Sequence, residues 1–399
     1  MDKLNKWKNG AIPALLIHVC IGSVYCWSLI KDKAADALGT STSSIEIAFS
    51  LAIFFLGMSA AFFGRMVELN VQKSAKIATI FFTSGLGLCA LSLNVGSTTL
   101  FILAYGAIMG IGLGVGYLTP VKTLMLWFKE NQGLAAGIAI AGFGLSKVIF
   151  SPFIEFVLSR YSISTLFIIM MIIGFVCLFL ASVLISKPKG WEEDKKIKHG
   201  YFKLMCENKE LWKIWFVFFL NITCGLAIIS FEKNICSAYE VALAVGIVSA
   251  ISAVFNTLGR IGFATWSDYL SNKTVTYLTF LTVCIVICLL GGLQVAGVVL
   301  ILLWLVNLGY GGGFSSLPPL LVSKFGVKRL SVIHGLTLSA WGVAGLCGNS
   351  LSDFVINTMN LGYDTLFLIL AGLYLVALVV TLTIKKSSAD DISEELEKK

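Results

Sequence analysis

Twelve long apolar runs, separated by short polar segments, constrain this chain of 399 residues more than any other feature. About 20 apolar residues suffice for one helix to cross a bilayer. Hydrophobic residues make up 57% of the chain and charged residues only 13%, which is more apolar surface than soluble domains can bury. The sequence therefore predicts an all-α polytopic membrane protein and excludes soluble, secreted and disordered classes. The predicted spans cover 11–30, 45–64, 76–94, 99–127, 134–158, 165–186, 211–231, 241–266, 274–292, 295–321, 331–352 and 364–384.

The distribution of Lys and Arg predicts the orientation of these spans. An even number of spans places both termini on one side, and cytoplasmic loops are enriched in Lys and Arg. If the N-terminus is cytoplasmic, the outside loops hold only Lys31, Lys33, Arg160 and Lys233 of the 30 Lys and Arg residues. We therefore expect a multi-pass protein of the plasma or inner membrane with both termini cytoplasmic. The net charge of +8 follows from this bias and does not indicate a nucleic-acid partner.

One long hydrophilic segment divides the chain into two halves of six spans. The sequence predicts an N-terminal six-helix bundle over 1–186, a cytoplasmic linker over 187–210, a C-terminal bundle over 211–384 and a cytoplasmic tail over 385–399. Segment 114–144 resembles segment 312–342 at a shift of 198, with Gly and Pro recurring at matched positions. Two related halves with a substrate route between them are typical of secondary transporters.

The repeated segments are rich in glycine. GIGLGVG (110–116) looks like a dinucleotide fingerprint, but it lies within an apolar helix and has no preceding strand. Small residues at this density let helices pack closely in lipid. The glycines predicted to serve such packing are Gly112, Gly116, Gly311 and Gly313.

Several motifs resemble the oxalate/formate antiporter family of the major facilitator superfamily. They are SVYCWSLI (23–30), GIGLGVGYLTPV (110–121), GRIGFATWSD (259–268), GYGGGFSSLPPLL (309–321) and HGLTLSAWGVAGLCG (334–348). The resemblance implies twelve transmembrane helices in two pseudo-symmetric six-helix bundles, the major facilitator fold. It also implies transport of small carboxylate anions by alternating access, as a carrier or antiporter.

The superfamily's cytoplasmic loop motif is present in altered form. GRMVELNVQK (64–73) follows the second span, and ATWSDYLSNK (264–273) follows the eighth, with Ala264 where glycine is usual. The resemblance implies a latch made of charges and helix dipoles that closes the cytoplasmic side in one state. Its predicted members are Arg65, Glu68, Asp268 and Lys273. Ordinary solvated loop charges are the alternative interpretation.

Three cations fall within predicted spans, where a charge is costly and marks function by default. A guanidinium offers a fork that matches a carboxylate, and the family resemblance implies that Arg260 binds substrate. Oxalate-specific members of the family carry a lysine in the slot of Trp341, so tryptophan there favours a monocarboxylate such as formate, pyruvate or lactate. Lys147 is the candidate for a second cation, and if it faces the cavity, a dicarboxylate is the alternative substrate. We expect Lys122 to reach the headgroups by snorkelling.

Aromatic residues are candidates for the wall of the substrate cavity. Tyr25, Tyr117 and Tyr310 could donate hydroxyl hydrogen bonds to a carboxylate, and Trp341 could pack against it, although plain packing explains such residues as well. His18 could relay protons, but a hydrogen-bonded structural role is favoured. The sequence around His199 and His334 indicates no function for either residue.

Two other classes of function compete with transport. A polytopic membrane enzyme would need catalytic or metal-binding groups, yet the chain has no H-E-x-x-H motif and no nucleotide loop. A transport-inactive sensor on the same fold would bind ligand without flux. We therefore expect no catalytic residues, no metal and no cofactor. The expected partners are a small organic anion, the lipid bilayer and either a proton or a counter-anion, for a protein that is a monomer.

Overall fold

The computed structural model describes residues 2–191, Met205 and 208–385, and all regular structure in this part of the chain is helical. Twelve helices of the described residues are long and apolar enough to cross a membrane. They are α1 Lys6–Leu38, α2 Thr42–Leu69, α3 Val71–Val95, α4 Thr98–Trp127, α5 Gln132–Leu158, α6 Ile163–Leu184, α7 Lys209–Ala238, α8 Val245–Asp268, α9 Thr274–Gly291, α10 Ala296–Phe325, α11 Val327–Thr358 and α12 Tyr363–Leu382. The twelve predicted spans are confirmed. Most of the predicted linker and tail lies outside the described residues.

Short polar turns begin and end these helices. At several N-termini, a Ser or Asn side chain accepts a hydrogen bond from the backbone N–H three residues later, which satisfies one of the exposed donors of the first turn. The residues that cap in this way are Ser41, Asn70, Ser97, Ser162 and Asn208. Gly39 and Gly96 end α1 and α3 in the left-handed region, with φ of 63° and 68°.

Large apolar side chains also cover the outside of the helices. The clearest strip is on α6, where Ile172, Phe175, Phe179 and Val183 are all about half exposed. Water would not tolerate a contiguous apolar surface of this kind, whereas lipid tails solvate it. The surface of α6 therefore fits a membrane environment.

The described residues form two compact units. Unit 1 contains 2–130, 139–191 and 327–342, and unit 2 contains 131–138, 208–326 and 343–385. In unit 1, α4 packs against α1, α2 and α3, and α6 packs against α1 and α3. In unit 2, α10 packs against α7, α8 and α9, and α12 packs against α7 and α9. The first turns of α5 thus belong to unit 2, and those of α11 belong to unit 1.

The internal repeat relates helices that lie six apart in the chain. The matched prolines, Pro120 and Pro318, lie within α4 and α10, and the matched glycines, Gly137 and Gly335, lie in α5 and α11. A shift of 198 residues therefore aligns the sequence of α4 and α5 with that of α10 and α11. The candidate functional side chains lie mainly on these four helices and on α1, α2 and α8.

Candidate functional site

Arg260 lies within α8 and belongs to unit 2. Its side chain is only 2% exposed. Its Nε donates a 2.8 Å hydrogen bond to Oδ1 of Asn256, one helical turn earlier, and its guanidinium carbon lies 5.5 Å from the ring centre of Phe314 on α10. A guanidinium over an aromatic face gains cation–π attraction, and its Nε contact fixes the plane of the fork. The sequence pattern had not singled out Asn256, although a spacing of four residues on a helix brings such pairs together.

Phe314 also contacts the predicted substrate residue Tyr310. The two rings are 5.1 Å apart in an edge-to-face arrangement, and Tyr310 is 3% exposed. Within unit 2, Phe314 therefore contacts both the guanidinium of Arg260 and the ring of Tyr310.

Unit 1 holds a second group, centred on Phe143 of α5. The ring of Phe143 lies 5.1 Å from Tyr25, 5.5 Å from Tyr117 and 6.0 Å from Trp341. Tyr117 and Trp341 are also 5.5 Å apart, and both are fully buried. Three of the predicted residues, from α1, α4 and α11, thus meet at one phenylalanine. The repeat shift had paired Phe143 with Trp341 without indicating that the two touch.

Lys147 follows Phe143 by one turn of α5 and is half-buried. Its ammonium lies close enough to Cys26 of α1 for its charge to act on the thiol. Lys147 therefore lies one helical turn from Phe143 along α5, within range of the Cys26 thiol.

A buried network surrounds the predicted latch residue Glu68 of α2. Its carboxylate accepts a 2.8 Å hydrogen bond from the backbone N–H of Ser331, in the first turn of α11, and forms an ion pair with Lys122 of α4. Lys122 also donates a 2.6 Å hydrogen bond to the carbonyl oxygen of Val327. A carboxylate at a helix N-terminus satisfies an open N–H and interacts favourably with the helix dipole.

The prediction that Lys122 reaches the headgroups is wrong, because its side chain is only 1% exposed. The carboxylate of Glu68 and the carbonyl oxygen of Val327 provide polar partners inside the protein, so the ammonium has no need to reach the interface. Arg65 lies one turn before Glu68 on α2 and is half-buried.

Asp268 makes the corresponding arrangement at the end of α8. Its two carboxylate oxygens accept hydrogen bonds of 2.7 and 2.9 Å from the backbone N–H groups of Gly133 and Leu134, in the first turn of α5. Lys273 donates to the carbonyl oxygen of Ser267. Burial lowers the pKa of Lys273, and the charge of Asp268 partly opposes this. Both carboxylates of the predicted latch therefore cap helix N-termini.

Close backbone approach accompanies each of these caps. A Cβ added to Gly64 of α2 would lie 2.6 Å from the carbonyl oxygen of Ser331, and one added to Gly133 of α5 would overlap the carbonyl oxygen of Ala264. The small residue is on α2 in the first case and on α5 in the second. Because Gly133 of α5 provides the space for the close approach at the second cap, alanine can stand at position 264 of α8, where the motif usually has glycine.

The four predicted packing glycines all face a neighbouring helix. A Cβ on Gly112 would lie 2.5 Å from the backbone nitrogen of Phe82, and one on Gly116 would lie 3.3 Å from the side chain of Ile21. In unit 2, a Cβ on Gly311 would overlap the carbonyl oxygen of Asn256, and one on Gly313 would overlap the side-chain amide of Asn221. Gly311 therefore lets α10 approach α8 at the turn that carries Arg260.

His18 of α1 is buried, and its two ring nitrogens contact the carbonyl oxygens of Ala139 and Tyr117. Among the described residues, no group of three or more His, Cys, Asp or Glu side chains is placed to bind a metal ion.

The family profile of the Major Facilitator Superfamily matches residues 12–348. The chain is 24% identical over 378 residues to the Oxalate:formate antiporter of Oxalobacter formigenes, covering 92% of this chain and 88% of that protein. It is 27% identical over 191 residues to Apicoplast pyruvate carrier 1 of Toxoplasma gondii, covering 38% of this chain and 35% of that protein.

Among solved structures, the chain is similar to FucP, a Major Facilitator Superfamily transporter in the outward conformation. The TM-score is 0.73 at 14% identity, covering 94% of this chain and 98% of that one. This likeness confirms the predicted fold, and the relatives confirm the resemblance to the oxalate/formate antiporter family. The chain therefore belongs to the Major Facilitator Superfamily and is a multi-pass membrane transporter.

Proposed function

We propose that this protein carries small organic carboxylate anions across the membrane by alternating access, with a monocarboxylate such as formate, pyruvate or lactate as substrate. The observation that carries the proposal is Arg260, a permanent cation buried in a membrane-spanning helix. A buried charge in such a helix is costly and is kept where a ligand or partner uses it. Two of the relatives, the Oxalate:formate antiporter and Apicoplast pyruvate carrier 1, are named for formate and pyruvate.

The shape of the Arg260 side chain supports a carboxylate ligand. Asn256 holds Nε, and the ring of Phe314 supports one face of the guanidinium. Such a fork is pre-oriented, so less side-chain entropy is lost when it binds an anion. In this proposal Arg260 binds the carboxylate and Tyr310 is a substrate contact within unit 2, while Tyr25, Tyr117 and Trp341 of unit 1 are further candidates for substrate contact.

The preference for one carboxylate over two rests on Trp341. Tryptophan occupies the position at which the family resemblance implies a lysine in oxalate-specific members, and here it packs against Tyr117 and Phe143. A neutral ring at this position gives a second carboxylate no positive partner. The second candidate function is exchange of a dicarboxylate such as oxalate, with Lys147 as the other cation, because Lys147 lies one turn from Phe143.

The gating step of the proposal uses the two acidic caps. Glu68 and Asp268 bind the N-termini of α11 and α5, so releasing either cap exposes polar groups that must find other partners. Arg65 and Lys273 contribute positive charge beside these caps. We place the caps on the cytoplasmic side, with both termini cytoplasmic, because the charge bias of the loops favours that orientation. The two bundles over 1–186 and 211–384 would then move relative to one another, joined by the linker 187–210.

The decisive experiment measures counterflow of labelled formate, pyruvate, lactate and oxalate in proteoliposomes. We expect Arg260→Gln to lower uptake of the preferred anion by at least about 30-fold, since removing one side of a buried charged contact costs about 2–5 kcal/mol. Arg160→Gln is the matched control, because Arg160 is exposed in the turn between α5 and α6. Both variants must elute as folded monodisperse protein. Undiminished transport by Arg260→Gln would refute the proposed site, and binding of carboxylate without any flux would favour a sensor.

A further inference from the structure

Glu232 is a buried acidic residue of α7 to which the proposed function gives no role. The predicted seventh span, 211–231, stops one residue before it, whereas α7 continues to Ala238. Glu232 is 9% exposed, and its Oε1 accepts a 2.7 Å hydrogen bond from the hydroxyl of Ser252 on α8. An acidic group inside a membrane-spanning helix is costly and marks function by default.

Ser252 is the first of three polar residues that follow one another at intervals of four along α8. The other two are Asn256 and Arg260. Residues four apart lie on the same face of a helix, about 6 Å from one another along its axis. The three side chains therefore form a polar row on α8, with Glu232 bound at one end and the guanidinium near the other.

The side chain of Arg260 is directed along this row toward Glu232. A helical side chain leans toward the N-terminus of its helix, and the 2.8 Å hydrogen bond from Nε to Asn256 holds Arg260 in that direction. Ser252 lies one further turn the same way. One helical turn and the contact at Ser252 place the carboxylate of Glu232 about 8 Å from the guanidinium. All of these residues belong to unit 2.

At this separation, both charges act on one bound anion. With an effective dielectric constant of about 20, two unit charges about 8 Å apart change an equilibrium about 30-fold. A monoanion on Arg260 gains the stronger attraction of direct contact, which exceeds the repulsion from Glu232. A dianion brings a second negative charge after its first carboxylate has occupied the fork of Arg260. Glu232 therefore repels both charges of a dianion, while Arg260 contacts only one of them.

We propose that Glu232 is a specificity-determining residue that restricts the Arg260 site to anions with a single negative charge. This inference rests on the proposed function. Ser252 holds the carboxylate of Glu232 in place, and its fixed charge disfavours dianions such as oxalate. Trp341 withholds a second positive partner, whereas Glu232 supplies a repulsive element within unit 2. Specific sites commonly combine both devices.

The test compares oxalate with oxamate, which carries an amide in place of one carboxylate and therefore differs from oxalate mainly in charge. Both ligands compete with labelled pyruvate, and in parallel with labelled formate, for counterflow by the full-length protein in proteoliposomes at about pH 7.5, where their carboxylates are ionised. The quantity measured is the half-inhibitory concentration of oxalate divided by that of oxamate. We expect wild type to prefer oxamate, and Glu232→Gln to lower this ratio about tenfold or more.

Three further variants separate the charge of Glu232 from a structural role. Glu240→Gln removes an exposed negative charge just beyond α7 and should leave the ratio unchanged. Glu232→Asp keeps the charge and should keep the ratio within about threefold of wild type. Ser252→Lys keeps Glu232 but places an ammonium beside it, so the ratio should fall as in Glu232→Gln. Ser252→Lys thus provides the same test if Glu232→Gln is not recovered as folded protein.

A structural defect would weaken the binding of both inhibitors together and leave their ratio unchanged. A ratio that changes by less than about twofold in Glu232→Gln and in Ser252→Lys overturns the role of Glu232, while pyruvate or formate counterflow by wild type leaves the carboxylate carrier intact. Tighter binding of oxalate than of oxamate by wild type also overturns it. If wild type exchanges neither labelled anion and binds neither inhibitor, the proposed function itself is refuted.

Discussion

The carboxylate of Glu68 accepts a 2.8 Å hydrogen bond from the backbone N–H of Ser331, at the start of α11. The equivalent of Ser331 under the 198-residue repeat is Gly133, at the start of α5, whose N–H donates to Asp268 at 2.7 Å. The acidic residue of each half of the sequence thus caps the N-terminus of a helix that belongs to the other half of the sequence. The duplication is visible in these hydrogen bonds as well as in the matched Gly and Pro residues.

We expect the ion pair between Glu68 and Lys122 to contribute to stability as a unit. Both side chains are almost fully buried, so Glu68→Gln leaves the ammonium of Lys122 without this carboxylate. Breaking one side of a buried ion pair costs about 3–5 kcal/mol, and the unfolding temperature in detergent should fall accordingly. The double variant Glu68→Gln/Lys122→Met should recover much of the loss. A double variant that is no more stable than the single one would show that the two residues do not act as a pair.

Close packing at Gly311 should be intolerant of a single methyl group. Gly311→Ala would push a Cβ into the carbonyl oxygen of Asn256, whereas Gly262→Ala, on α8, places its Cβ in open space. Overpacking of this kind costs about 1–3 kcal/mol, while alanine in a helix is favoured over glycine by up to about 1 kcal/mol. Thermal unfolding should therefore show a loss for Gly311→Ala and none for Gly262→Ala. Equal effects of the two substitutions would contradict the packing role of Gly311.

Hydropathy predicted the number and the middle of every helix, because the bilayer core demands a continuous apolar run. It predicted the ends less well. The first predicted span, 11–30, extends to Lys6–Leu38 in the structure, since polar residues outside the lipid core also continue the helix. Contacts between distant residues were not predictable. Lys122 and Glu68 are 54 positions apart, and His18 and Ala139 are 121 apart, so no local pattern links them.

Asn256 should act as a positioning residue for Arg260. Its Oδ1 accepts the hydrogen bond from Nε, so Asn256→Ala would let the guanidinium rotate away from its present orientation. A hydrogen bond to a charged group contributes about 1.5–3 kcal/mol, and we expect the KM for the preferred carboxylate to rise about tenfold or more. Asn256→Asp keeps an acceptor at this position and should retain more of the orientation. The comparison requires uptake measured over a range of substrate concentrations. An unchanged KM in Asn256→Ala would show that the hydrogen bond does not position Arg260 for binding.

Trp341→Lys should shift the substrate preference from one carboxylate toward two. Trp341 is 1% exposed and contacts Tyr117 and Phe143, so a lysine at this position would place an ammonium among aromatic rings, where cation–π attraction partly compensates for its lost hydration. We expect the ratio of oxalate to formate counterflow to rise by about tenfold or more, because the second carboxylate gains a charged partner. Trp341→Met provides the control, since it removes the ring without adding charge and should lower both fluxes together. If wild type already prefers oxalate, the second cation is present elsewhere, and Lys147→Ala should then abolish oxalate exchange while formate exchange continues.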